Sequence, residues 1–235
     1  MTTTNATQRR HHQTGPPLGV LAVVFTALFM ASLVLGTLLA GGKPYPSPYG
    51  PAADILAYFR DHQSAVQVSA ALQFAAAIPL AIYAATASAR LHQLGVRAPG
   101  ATIALIGGTL SAGFLALCGL IGWVTSQPEV LDEPALVRAL QYLTFATGGV
   151  GHVVPLGLLI AGVAVPGLLA RLLPRWLAWS GLIIAAVAEI ATLSLLIDNA
   201  AILLPIARFT GLAWLITAGF RLPRQRPSRA ENVRN

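Results

Sequence analysis

Six apolar runs dominate the chain, each close to the roughly 20 residues that a helix rising about 1.5 Å per residue needs to cross a hydrocarbon core about 30 Å thick. They fall at residues 18–40, 65–87, 101–124, 150–169, 177–197 and 201–220. The pattern predicts an all-α fold, a polytopic transmembrane helical bundle filling residues 18–220 as one domain, with tails over 1–17 and 221–235. The first run is taken as a retained span rather than a cleaved leader, because its 23 uncharged residues exceed the roughly 7–15 of a secretory apolar region. Cleavage would leave five spans.

Two connections carry a pattern of their own. Residues 54–63 place Ile55, Leu56 and Phe59 on one helical face and Asp54, Asp61 and His62 elsewhere, after Pro51, which predicts a short helix lying at the outer membrane surface. Residues 134–147 hold Arg138 and Gln141 among apolar residues and lead into Gly148, Gly149 and Gly151. A second interfacial helix is expected there, breaking at the glycines and turning inward. Between them in character is GGKPYPSPYGP, residues 41–51, read as an extended connector because proline fixes φ and lacks a donor.

Composition agrees with these spans. The chain is 55% hydrophobic and 10% charged, against about 25% charge in a soluble domain. Its 15 basic and 8 acidic residues do not form one solvated patch, which argues against nucleic acid as a partner. Counting alternate connections, one side of the membrane receives Arg9, Arg10, Arg90, Arg97, Arg171, Arg175 and the five arginines from Arg221 onward, eleven in all. The other receives Lys43, Arg60 and Arg138 with six carboxylates. By the positive-inside rule both termini are cytoplasmic. The tail from Arg221 is expected to lie near anionic lipid.

Within the third span Ala104, Gly108, Ala112 and Ala116 recur every fourth residue, a stripe that lets another helix approach closely. Glu189 and Arg208 are the ionisable residues that stand clearly inside spans, where a charge costs about 2.5–3.5 kcal/mol even on the lenient insertion scale. In an antiparallel hairpin turning near Asn199 and Ala200, positions at equal depth sum to about 399, and these two sum to 397. An intramembrane ion pair is therefore expected, with Asp198 as a competing partner for Arg208. A clamp on the hairpin weighs more than a proton or ligand site. His152, early in the fourth span, is expected as a hydrogen-bonded packing histidine that could join such a polar site.

No catalytic residue, metal site or cofactor follows from the motifs. Cys118 is the single cysteine, which excludes an internal disulfide and a Cys-x-x-Cys pair. A bis-histidine haem lacks a second intramembrane histidine. Walker, Gly-x-Ser-x-Gly and His-Glu-x-x-His patterns are missing.

The stretches HVVPLGLLIAGVAVPGLLARLLPRWLAWSGLIIAAVAEIATLSLL, residues 152–196, and FRDHQSAVQVSAALQFAAAIPLAIYAATASARL, residues 59–91, resemble the uncharacterised DUF4386-like group of bacterial multi-span proteins. The resemblance implies a bundle of the bacterial inner (plasma) membrane and carries no activity or functional residue with it. Three functions remain in order of weight. The first is a non-enzymatic accessory or regulatory bundle that binds a protein partner or an apolar small molecule. The second is a small secondary transporter with a polar site at Glu189, Arg208 and His152. The third is a membrane enzyme acting on lipid or quinone.

Overall fold

The computed structural model describes residues 15–224, and among them every regular element is helical. The chain runs α1 (Leu18–Leu39), α2 (Ala52–Asp61), α3 (Gln63–Gln93), α4 (Gly100–Thr125), α5 (Pro128–Leu131), α6 (Pro134–Ala146), α7 (His152–Leu169), α8 (Arg175–Ile190) and α9 (Leu203–Arg221). Six stretches are long and apolar enough to cross a membrane. The protein is thus a multi-pass membrane bundle. The arginines expected at residues 9, 10, 226, 229 and 234 lie outside the described residues.

The spans pack in chain order as a closed ring: α1 on α3, α3 on α4, α4 on α7, α7 on α8, α8 on α9, and α9 back on α1. Each helix contributes a stripe rather than a polar face. On α1 the buried positions are Leu18, Gly19, Ala22, Phe25, Phe29, Ser32 and Gly36, one stripe along a helix of 3.6 residues per turn. The remaining faces, with Val20, Val24, Val34 and Leu38, stay exposed, as suits contact with lipid.

Contact is closest along α3, α4 and α7. A Cβ added at Gly108 on α4 would collide with Ala84 of α3, and one at Gly162 on α7 would collide with the backbone of Ala104 on α4. The stripe Ala104, Gly108, Ala112 and Ala116 therefore lies within the bundle, with Ala104 fully buried and Ala112 nearly so. Ala116 is half-buried against the same core. Small residues here replace side-chain interdigitation with direct backbone approach, the mode available where lipid supplies no hydrophobic drive between helices.

The fourth span differs from its expected form. Instead of breaking at the glycines, α6 continues through a π-helical segment, Thr147–Gly151, into α7, so that Pro134–Leu169 is one stretch of 36 residues. At about 1.5 Å per residue it is far longer than a hydrocarbon core of about 30 Å, so α6 stands beyond the core as an extension of the span. A π-helical turn absorbs an irregularity without ending the helix. Pro155, four residues past Gly151, has no N–H to return to that carbonyl.

The end of the molecule opposite Arg90, Arg171, Arg175 and Arg221 is closed by α2, α5, α6 and the 43–50 connection. Arg60 donates two hydrogen bonds to the Leu131 carbonyl, at 2.8 and 3.3 Å. Arg138 donates to the Gly50 carbonyl at 3.0 Å and to the Tyr142 hydroxyl at 3.0 Å. Tyr45 packs edge-on against Tyr58 and Phe59. Burial pushes the Tyr58 hydroxyl up from its ordinary value.

These contacts separate two glycines of α4. Gly108→Ala is expected to cost about 1–3 kcal/mol through overpacking against α3. Gly113→Ala, which meets nothing within 4 Å, is expected to leave stability unchanged or slightly improved. Thermal unfolding of both variants in one detergent checks the contrast.

Candidate functional site

Where α3, α4 and α7 meet the packing is tight, but around Phe29 of α1 and Arg208 of α9 it opens. A cavity of about 400 Å³ lies between α1, α3, α4, the π-helical segment and α9. Pro44, Tyr45, Pro46 and Tyr58 of the closing structures roof it. Its wall is mostly apolar, with Phe29, Leu33, Leu115 and Phe145 among the contributors, and Gln73, Cys118, Gln141, Thr144 and Arg208 are among its polar residues.

Arg208, in the second turn of α9, is the charged group on this wall. Its Nη2 donates to the Gly148 carbonyl, and its guanidinium carbon stands 5.4 Å from the centroid of the Phe29 ring. A Cβ on Gly148 would stand 2.5 Å from the Cys118 sulfur, so a larger residue there would push the Cys118 thiol aside. The π-helical turn loosens the regular hydrogen-bond ladder, and its Gly148 carbonyl meets the guanidinium. A cation over an aromatic face gains about 0.5–2 kcal/mol, so ring and carbonyl together offset much of the insertion cost. The Nε of Arg208 is buried with no hydrogen-bond partner, and among the described residues no carboxylate pairs with this side chain.

Beside it, the Cys118 thiol donates to Gln73 Oε1 at 3.2 Å and approaches the Thr144 carbonyl at 3.5 Å. Gln141 is 1% exposed. Its Nε2 donates to the Pro46 carbonyl at 3.1 Å, tying α6 to the roof, while its Oε1 is buried without a partner. The wall thus offers a cation and an unfilled polar position within an apolar chamber.

His152 is fully buried next door. Its Nδ1 lies 2.8 Å from Ser111 Oγ and 3.1 Å from the Ser111 carbonyl, and Ser111 Oγ donates to the His152 carbonyl at 2.9 Å. With the serine proton committed to that carbonyl, Nδ1 carries the ring proton and Nε2 is left as a buried acceptor without a partner. The ring stacks on Phe29 and meets Phe25 edge-on, both at 6.3 Å. Phe29 therefore neighbours both the His152 ring and the Arg208 guanidinium.

Glu189 and Arg208 do not meet. Glu189 is exposed, on the flank of an α8 whose inward residues are Leu177, Ala178, Gly181, Ala185 and Ala188. Equal depth on neighbouring helices leaves the azimuth free, and one residue past Ala188 is about 100° of rotation away. The hairpin register shifts as well, because the helix tightens to 3₁₀ at Ala191–Leu195 and again at Asp198–Ile202, where the rise is about 2.0 Å per residue. Asp198 is exposed near Tyr49 and does not pair with Arg208. The hairpin is fastened instead by Trp214, whose indole donates to the Leu177 carbonyl at 2.8 Å and whose ring lies where a Cβ on Gly181 would stand.

Of the sequence-predicted polar residues, the structure brings Arg208 to the cavity, sets His152 against the Phe29 ring, and leaves Glu189 and Asp198 outside. Gln73, Cys118, Gln141 and Phe29 complete the site without having been assigned to it. An uncharged polar residue inside an apolar run, as at Gln73, was the available signal. No protein-family model, curated protein or solved structure matches the chain.

Trp214→Phe is expected to cost about 1–3 kcal/mol through the lost indole hydrogen bond and the space left against Gly181, the Leu177 carbonyl keeping the Ser180 hydroxyl as a donor. Glu189→Gln is expected to fall within about 0.5 kcal/mol of wild type. In a double-mutant cycle Glu189→Gln and Arg208→Gln are expected to add within about 0.5 kcal/mol; a larger coupling would mean that the two charges do communicate.

Proposed function

We propose that this protein is a non-enzymatic accessory or regulatory bundle of a bacterial inner membrane, and that it holds an apolar molecule in the chamber beside Arg208. The cavity carries the proposal: about 400 Å³, walled largely by apolar side chains and served by a few convergent polar groups, it has the make-up of a small-molecule site. Arg208 meets no carboxylate of the chain among the described residues, so a ligand with an acidic or strongly accepting head completes its charge. The eleven basic residues assigned to one side of the membrane support cytoplasmic termini, with the roofed chamber toward the outer face. Kinship with the DUF4386-like group belongs to the same proposal.

A small secondary transporter is the alternative. One observation favours it, the position of Arg208 against a π-helical turn inside a span, since irregular backbone at membrane depth commonly lines a substrate path. On this alternative Arg208 would be the working charge, with Glu189 outside the path.

Extraction in native lipid without detergent, followed by mass spectrometry of what stays bound, tests the proposal. Wild type is expected to retain one small amphiphile in near-stoichiometric amount, and Arg208→Gln to retain about tenfold less. Alkylation of Cys118, on the same wall, is expected to speed up as the molecule is lost. A wild-type preparation with no such molecule, and a Cys118 rate indifferent to Arg208→Gln, would overturn it. Accumulation of the recovered molecule inside proteoliposomes would shift the function to transport.

A further inference from the structure

A second hollow, of about 330 Å³, opens at the arginine-rich end, between the first turn of α1, the last turn of α3 and the exit of α9. It is separate from the chamber beside Arg208. Three guanidiniums border it, those of Arg90, Arg221 and Arg224.

Arg90 is the informative one. It is 8% exposed, near the end of α3, and lines the hollow. Among the described residues its side chain has neither a hydrogen bond nor a carboxylate partner, and Arg224 is close enough to repel it. A nearly buried cation facing a second cation is unfavourable unless an anion stands between them.

The backbone adds to this demand. α1 begins after Pro17 with no side-chain cap, and its first residues, Leu18 and Gly19, line the hollow. The N-terminus of a 22-residue helix presents free N–H groups and the positive end of its dipole. Its position is fixed by α9, for a Cβ on Gly219 would stand 2.8 Å from the Gly19 nitrogen. Guanidiniums and a helix N-terminus are the two groups that most readily receive a phosphate.

Lipid suits this lining better than a free anion. Leu18, Phe220 and Leu222 share the hollow with the arginines, and Phe220 is 63% exposed at the end of the last span. Apolar surface continuous with a cationic pocket at the end of a transmembrane helix matches a headgroup joined to its chains. We propose that Arg90, Arg224 and the first turn of α1 bind the phosphate of an anionic phospholipid from the adjoining leaflet.

The full chain is reconstituted in phosphatidylcholine nanodiscs with and without phosphatidylglycerol, delipidated stepwise, and weighed by native mass spectrometry. Wild type is expected to keep one phosphatidylglycerol after phosphatidylcholine has left. Arg90→Gln and the exposed-site variant Arg224→Gln are expected to lower that retention about tenfold and severalfold, while Arg171→Gln, an exposed arginine away from the hollow, leaves it unchanged. In pure phosphatidylcholine Arg90→Gln is expected to melt at or above wild type, because an unpaired buried cation is gone, and this also establishes that the variant folds. Equal retention by wild type and both hollow variants would overturn the site. A thermal shift with millimolar inorganic phosphate in phosphatidylcholine, without selective retention of phosphatidylglycerol, would overturn the lipid as its source.

Discussion

Two apolar helices immersed in lipid gain little by burying oily surface against each other, so their association rests on how closely their backbones can approach. In this bundle that constraint is met along α3, α4 and α7, where Gly108, Gly162 and Ala104 leave no room for an added carbon. The rigid half holds everything else in place. It carries the π-helical segment at one edge and seats His152 against Ser111, and so it sets where the fourth span meets α9.

The opposite half is made of larger and less complementary pieces. α1 and α9 touch backbone to backbone at Gly19 and Gly219 near one end, but farther along α1 turns Phe25 and Phe29 inward and α9 brings Arg208, and there the two helices do not close. The space that remains is the chamber. Its polar content reflects the same division, since three polar side chains on the wall are each tethered by one hydrogen bond, Arg208 to Gly148, Cys118 to Gln73 and Gln141 to Pro46, while Arg208 Nε and Gln141 Oε1 stay without a partner. The chamber keeps its shape through those tethers, with Phe29 as a shared neighbour of the arginine and the histidine.

The spans were legible because membrane thickness imposes a length on each, and α1, α4 and α9 begin or end within a few residues of the apolar runs. The helix after Pro51 was legible from its Ile55–Phe59 face. The course of the fourth span was not. Three glycines in five residues suggest a break, but a helix clasped by Cys118, Phe114 and Leu204 on neighbouring spans can widen without parting. For Glu189 and Arg208 the sequence supplied height and not angle, and half a turn of helix decides between a partner and lipid. The chamber was illegible for a different reason. Phe29, Gln73, Cys118, Gln141 and Arg208 come from five separate helices, and no spacing along the chain relates them.

The ring closes between the first span and the last, and this has a consequence for assembly on the ribosome. α1 enters the membrane before any of its neighbours exists. It finds α3 only after the next span has been made, and α9 only after the four spans between them. Before α3 follows it lacks both of these neighbours, which accords with its being the most hydropathic of the six spans and carrying no charge along its length. Arg208 faces the reverse situation. It arrives after Phe29 and Gly148 have been made, so this buried charge meets partners that are waiting for it.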